Sequence, residues 1–192
     1  MLFEHIEDQT FQPDELVLDP AKLYHFENCQ FNACSFASIS LASYRFTDCV
    51  FTNCDLSNSI LLDTNFAEVK FIDCKLLGLN FDACNPLLLQ MSFESSNLSY
   101  SVFQNLKLKP TLFKHCNLTE VDFTQTQLSE SRFIDCQLFN TVFQNALLES
   151  TQFIDCLGIN VDICNNYVKG MALSLNSVEE FLSQYGISII NE

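Results

Sequence analysis

From Phe93 to Phe153 a large apolar residue returns at every fifth position without a miss: Phe93, Leu98, Phe103, Leu108, Phe113, Leu118, Phe123, Leu128, Phe133, Leu138, Phe143, Leu148 and Phe153. A second run with the same period passes from Phe26 through Phe31, Phe36, Leu41, Phe46, Phe51, Leu56, Leu61, Phe66, Phe71 and Leu76 to Phe81. A fixed period over this length marks a repeat architecture. Five residues match neither the turn of an ordinary helix nor the alternation of an ordinary strand. Two residues before most of these centres stands a small side chain, among them Ser96, Ser101, Thr111, Cys116, Thr126, Cys136 and Thr151. Each unit therefore reads small-x-large-x-x, with two inward positions and three facing water.

Units such as Cys116-Asn117-Leu118-Thr119-Glu120 and Ser96-Asn97-Leu98-Ser99-Tyr100 resemble the A-(D/N)-L-x-x signature of the pentapeptide-repeat family. That resemblance implies an all-β fold, a right-handed quadrilateral β-solenoid in which four units make one square turn. Turns stacked at roughly 4.8 Å would enclose a column of Phe and Leu beside a column of Cys, Ser and Thr.

Placed in the repeat, the cysteines lose the look of a disulfide scaffold. Cys29, Cys34, Cys49, Cys54, Cys74, Cys116, Cys136 and Cys156 all precede a centre by two, and so read as small buried packing residues. Cys34, Cys54 and Cys74 should share one face of successive turns, as should Cys116, Cys136 and Cys156. No C-x-x-C pair exists. The first residues lack the basic and apolar regions of a signal peptide, no apolar run reaches membrane-spanning length, and a cytoplasmic, reduced chain is expected.

The parts of an enzyme are missing. The three histidines, His5, His25 and His115, adjoin no plausible nucleophile, and His115 beside Cys116 on an extended chain points the other way. There is no H-E-x-x-H, and four glycines cannot make a phosphate loop. No catalytic residue, metal or cofactor is expected. The Asn-x-Ser/Thr matches at Asn97 and Asn117 are by-products of the repeat.

Taken in order, residues 1–23 read as an N-terminal cap or irregular first turn in which Phe11 and Leu16 hold the phase. Residues 24–82 form a first solenoid segment. The phase slips at 83–92, where Phe81 and Phe93 stand twelve apart instead of ten. The two extra residues suggest a corner bulge or short loop that divides the solenoid into segments able to bend, or else a neutral insertion. Pro86, Leu87, Leu88, Leu89 and Met91 become a possible loop contact. Residues 93–164 form the second segment. Residues 165–175 read as linker, Ser177-Val178-Glu179-Glu180 as a capping box, and Val178, Phe181, Leu182 and Tyr185 as one face of a short amphipathic helix. With Ile187 they offer more apolar surface than one open turn needs, which suggests a homodimer interface, with a monomer cap as the alternative.

Net charge is −15, which excludes a phosphate-directed grip on nucleic acid and favours a basic protein partner. A solenoid with a mid-chain slip and a C-terminal helix resembles the gyrase-targeting Qnr and MfpA type within the family. That implies a DNA mimic binding a type II topoisomerase, DNA gyrase or topoisomerase IV, with resistance to quinolones or to a gyrase toxin as the outcome. The resistance-conferring members often carry projecting loops, and this chain has room for one small protrusion near Pro86 to Met91. The acids expected to act lie two after a centre: Asp48, Glu68 and Glu130 on one face, Asp73, Asp135 and Asp155 on the next. Lys70, Lys75 and Arg132 each follow one of these acids by two and are expected to neutralise it in part. Between residues 31 and 165 fourteen acids stand against seven bases. The alternative is a general interaction scaffold that meets another partner through the leucine-rich slip.

Overall fold

The computed structural model describes residues 3–13, 15–108 and 110–190. Short strands recur once or twice per turn: β1 (Phe3–Glu7), β2 (Thr10–Phe11), β3 (Leu23–Glu27), β4 (Gln30–Asn32), β5 (Arg45–Thr47), β6 (Val50–Thr52), β7 (Asn65–Ala67), β8 (Val69–Ile72), β9 (Met91–Glu94), β10 (Leu112–Lys114), β11 (Arg132–Ile134), β12 (Gln152–Ile154) and β13 (Ala172–Leu173). All pair in parallel, and Phe31 meets Phe51 as Phe113 meets Phe133. A step of twenty residues therefore returns the chain to the same place one rung on.

One face is a nine-stranded sheet running from β2 to β13, and its neighbour is a four-stranded sheet of β1, β3, β5 and β7. The remaining faces are carried by single bridges, such as Asn97 with Asn117 and Val102 with Asp122. The molecule is thus a parallel β-solenoid, and the nine rungs of its longest sheet make it about 38 Å long at roughly 4.8 Å each.

The centres fill the shaft. Phe31, Phe51, Phe71, Phe93, Phe113, Phe133 and Phe153 lie at or near zero exposure and stack face to face, with centroids 4.8 Å apart between Phe113 and Phe133. Phe103, Phe123 and Phe143 form a second stack that meets the first edge-on, as Phe113 and Phe123 do at 5.7 Å. Both arrangements suit the aromatic quadrupole.

The small column has a chemical reason. Most of its hydroxyls and thiols donate to the carbonyl of the centre on the rung before: Thr126 Oγ1 to Phe103 O at 2.7 Å, Thr151 Oγ1 to Leu128 O at 2.8 Å, Cys136 Sγ to Phe113 O at 3.4 Å. Side chains here must be short, and those with a donor satisfy a buried carbonyl lone pair. No buried side-chain nitrogen or oxygen among the described residues lacks a partner. The two cysteine triplets are parts of one ladder, because Ser96 bridges them: its Oγ accepts from Cys74 N at 3.0 Å.

Three expectations change. The slip does not divide the solenoid, because β8 and β9 pair straight across it, Phe71 beside Phe93. The insertion is confined to the side that carried the four-stranded sheet, and it is pinned. Asn65 Nδ2 donates to Leu87 O at 2.7 Å, Asn85 Nδ2 to Asp63 at 2.8 Å, and Gln90 Nε2 to Glu68 at 2.8 Å. Residues 165–173, read as linker, build another rung, with Tyr167 bridged to Leu147 and Leu173 paired with Phe153. The C-terminal helix, α1 (Leu175–Ser183), begins earlier than the capping box implied, with Ser174 at its N-cap. Ser177 is instead buried, its Oγ accepting from Cys156 N at 3.1 Å, so the small-column chemistry claims the hydroxyl that a cap would have used.

Candidate protein-interaction surface

The corners of the solenoid decide where charge can go. Two residues after nearly every centre the backbone turns into the left-handed region, where a side chain costs energy and Asn, Asp and Gly are best tolerated. Asp48, Asp63, Glu68, Asp73, Glu120, Glu130, Asp135 and Asp155 all occupy such corners, with φ between 51° and 64°. For the aspartates the corner itself is a sufficient reason. Glutamate gains nothing from a left-handed backbone, so Glu68 and Glu130 carry the stronger sign of selection for charge.

Asp48 and Glu68 occupy successive rungs of one corner, since the Asp48 N–H reaches Ala67 O. Two further rungs, occupied by Gln90 and Pro110, separate Glu68 from Glu130. The next corner runs Asp73, Ser95, His115, Asp135, Asp155, each N–H bonded to the carbonyl just before the following member where Asp73 reaches Glu94, Ser95 reaches Lys114 and His115 reaches Ile134. Strand β8 lies between Glu68 and Asp73, and β11 between Glu130 and Asp135. Both acidic columns therefore flank one flat face, the nine-stranded sheet.

The six carboxylates are all exposed, but they are not equally free. Asp155 accepts from Ser174 Oγ at 3.1 Å and Asn176 Nδ2 at 2.8 Å, tying down the start of α1. Asp135 lies 3.5 Å from His115 Nδ1, and Glu68 accepts from Gln90. Asp48, Asp73 and Glu130 have no side-chain hydrogen bond or ion pair among the described residues. Lys70, Lys75 and Arg132 form no ion pair among those residues either. Lys114 with Glu94 and Lys22 with Glu4 do. Lys70 and Arg132 stand on the sheet between the two columns, so they dilute its field without closing onto a particular acid.

The slip forms a small projection. Leu87 and Leu88 are 70% and 74% exposed, and Leu88 is held at φ 62°, an uncommon state for a branched aliphatic residue. Leu89 packs partly against the core, and Met91 is buried at the start of β9, unavailable to a partner. Beside the loop a cavity of about 340 Å³ is lined by Phe3, His25, Arg45, Asn65 and Leu87, among others.

At the far end Phe181 is buried against the last turn by its own chain and Leu182 packs on the same core. Val178 is half-buried. Tyr185 donates its hydroxyl to Val161 O at 2.8 Å, and Glu180 accepts from Gly158 N at 3.0 Å. The helix is thus a lid on the shaft. The uncovered apolar residues of the helix and the tail behind it are Leu175, Tyr185, Ile187, Ile189 and Ile190.

The family profile described as the pentapeptide repeat region matches residues 24–103 and 106–181. This chain is a pentapeptide-repeat protein. Two solved structures of trypsin-treated variants of QnrB1, a plasmid-mediated fluoroquinolone resistance protein, share this pentapeptide-repeat fold with TM-scores of 0.65. One is 15% identical over 98% of this chain and 98% of that chain, the other 14% identical over 99% and 100%. HetL, a pentapeptide repeat protein involved in heterocyst differentiation regulation from the cyanobacterium Nostoc sp. strain PCC 7120, aligns over 88% of this chain and 84% of its own at 11% identity, with TM-score 0.37. No curated protein matches the sequence. At these identities the QnrB1 likeness is one of fold, and the family is one of repeat scaffolds. Among the described residues no helix is long and apolar enough to cross a membrane.

Proposed function

We propose that this pentapeptide-repeat protein acts without catalysis as a DNA mimic, binding the basic DNA-holding surface of a type II topoisomerase, gyrase or topoisomerase IV. The observation that carries the reading is the pair of acidic columns flanking one flat face, Asp48, Glu68 and Glu130 on one edge and Asp73, Asp135 and Asp155 on the other. Resistance to fluoroquinolones, the role named for QnrB1, is the outcome this reading assigns to it.

Magnitudes limit the mimicry. Between residues 31 and 165 the excess of acids over bases amounts to about one charge per 5 Å of axis, where duplex DNA has one per roughly 1.7 Å. Binding should therefore be salt-sensitive but weaker than DNA's own. The test titrates the protein into gyrase supercoiling reactions with and without a fluoroquinolone, beside the combined variant Glu68→Gln, Asp73→Asn, Glu130→Gln, Asp135→Asn. The proposal expects an effect that excess DNA competes away and that the variant loses. No effect of the wild type in either arm, at tens of molar equivalents, retires it.

A second reading, a scaffold for another partner, is favoured by the exposure of Leu87 and Leu88 beside their cavity. It expects salt-insensitive binding lost on Leu88→Ser. A homodimer through the C-terminal end belongs to the first reading. Because Phe181 serves its own chain's lid, Ile187→Asp is the informative variant, and a light-scattering mass unchanged from wild type would remove the dimer.

A further inference from the structure

The two histidines of the first turns meet. His5 on β1 is in register with His25 on β3, and their rings stack 4.8 Å apart at 9°. Glu27, two residues beyond His25, points to the same side of the sheet, and its Oε2 lies 3.1 Å from His5 Nε2. One donor atom from each of the three falls within 4.8 Å of the others.

We infer that His5, His25 and Glu27 form a site for a divalent cation of borderline softness, zinc being the representative. Two imidazoles and a carboxylate are a donor set that suits zinc, copper or nickel and does not suit magnesium or calcium. Three protein ligands leave a fourth tetrahedral position for water. Donors about 2 Å from a common ion lie roughly 3.3 Å from one another. The His5–Glu27 separation already meets that requirement. His25, on a half-exposed surface, must swing out of its parallel stack with His5 for both imidazole lone pairs to reach the same ion.

The surroundings support the assignment. Thr47 Oγ1 lies 3.2 Å from His25 Nε2, a neighbour of the kind that orients metal-binding histidines from the outer shell. Glu7 adjoins Glu27 in the ladder and adds negative potential. Arg45, in register with His25, lies over the ring of Phe3 at 4.2 Å and is the positive charge that Glu7 and Glu27 must offset at this site. An ion here would join the edge strand β1 to β3 and fasten the first turn, where each rung otherwise has a neighbour on one side only.

The test titrates Zn²⁺ into the metal-stripped full chain, with a chromophoric chelator as competitor and thermal unfolding as second readout. One equivalent should bind per chain and raise the melting temperature. His5→Asn and His25→Asn should each weaken binding at least about tenfold and abolish the thermal shift, whereas Cys164→Ser, which removes the exposed thiol, should change neither. His5 lies on an exposed edge strand, so His5→Asn should keep the wild-type circular dichroism even if His25→Asn does not. No zinc binding by the wild type, or equal binding by His5→Asn, overturns the inference. Neither result bears on the topoisomerase reading.

Discussion

Replacing Phe113 with alanine is the sharpest test of how the shaft is held together. Phe113 is fully buried, stacked between Phe93 at 5.1 Å and Phe133 at 4.8 Å, and met edge-on by Phe103 and Phe123. Truncating a buried Phe costs about 3–5 kcal/mol where the surroundings cannot close over the gap. Here they cannot, because backbone hydrogen bonds to the rungs on both sides fix the spacing. Phe11, in the first turn, is only partly buried and stacks on Phe31 at 5.2 Å with no rung before it. Its loss should cost about half as much. In a quasi-one-dimensional array each rung touches only its neighbours, so the difference measures one missing interface. At roughly 2–4 °C per kcal/mol for a chain of this size, Phe113→Ala should lower the melting temperature by about 10 °C and Phe11→Ala by about 5 °C. Urea unfolding followed by far-ultraviolet circular dichroism would measure both, with an unchanged slope if the array still unfolds as one unit. Equal losses at the two positions would refute the nearest-neighbour account.

Nine of the ten thiols are buried, and burial pushes that of Cys49 up to about 12 and that of Cys34 up to about 11, so Ellman's reagent should titrate one thiol rapidly in the native protein and ten after denaturation, and Cys164→Ser should remove the fast one. Gly158→Ala should destabilise by about 2–4 kcal/mol, because the added methyl would lie 2.7 Å from Phe139 N at φ +73°, whereas Gly186→Ala, with nothing within 4 Å, should cost only about 1 kcal/mol, as thermal unfolding can compare. Leu88→Gly should relieve the left-handed backbone and stabilise by a few tenths to about 1 kcal/mol, measurable by urea midpoint. His25, whose folded pKa lies below its unfolded value near 6.5, binds its proton more readily when unfolded, so its contribution is fully present above pH 6.5 and lost as pH falls below it. His25→Asn should flatten the metal-free stability profile in that window, with His5, Glu27 and Arg45 the charged groups facing it.

The shaft was legible because the five-residue period is imposed by packing, and packing tolerates few exceptions. The reading faltered wherever a second demand overlaid the first. Ser177 had the spacing of a helix cap, but Cys156, twenty-one residues earlier, claimed its hydroxyl, and the start of the helix fell to Ser174. The linker reading of residues 165–173 failed because Asn166, not a Ser, Thr or Cys, holds the small position there and donates to Phe143 O at 2.8 Å. The slip suggested a hinge, since sequence spacing alone cannot show Asn65, Asn85 and Gln90 fastening the inserted loop to the rung before it. His5 and His25 stand twenty residues apart, one full turn of the repeat, so the period alone places them on neighbouring rungs, whereas the bond between His5 and Glu27 shows only in the structure.

The same overlay bears on the acidic face. A corner that must turn left-handed recruits aspartate and asparagine for backbone reasons, so a pentapeptide-repeat solenoid of this kind becomes acidic whether or not any partner requires it. Counting carboxylates therefore cannot separate a DNA mimic from a well-built rod. Exchange of residue type can. Converting Asp48 and Asp73 to asparagine keeps the corner geometry while removing charge, and should leave stability within about 0.5 kcal/mol. Converting Glu68 and Glu130 to aspartate keeps the charge, improves the fit to φ 56° and 64°, and retracts each carboxylate by one methylene. If the face meets a basic groove, the first pair should weaken binding in a salt-dependent way, and the second should weaken it despite equal charge and equal or greater stability. If the acids serve only the corners, the second pair should raise the melting temperature and neither should alter binding to any partner.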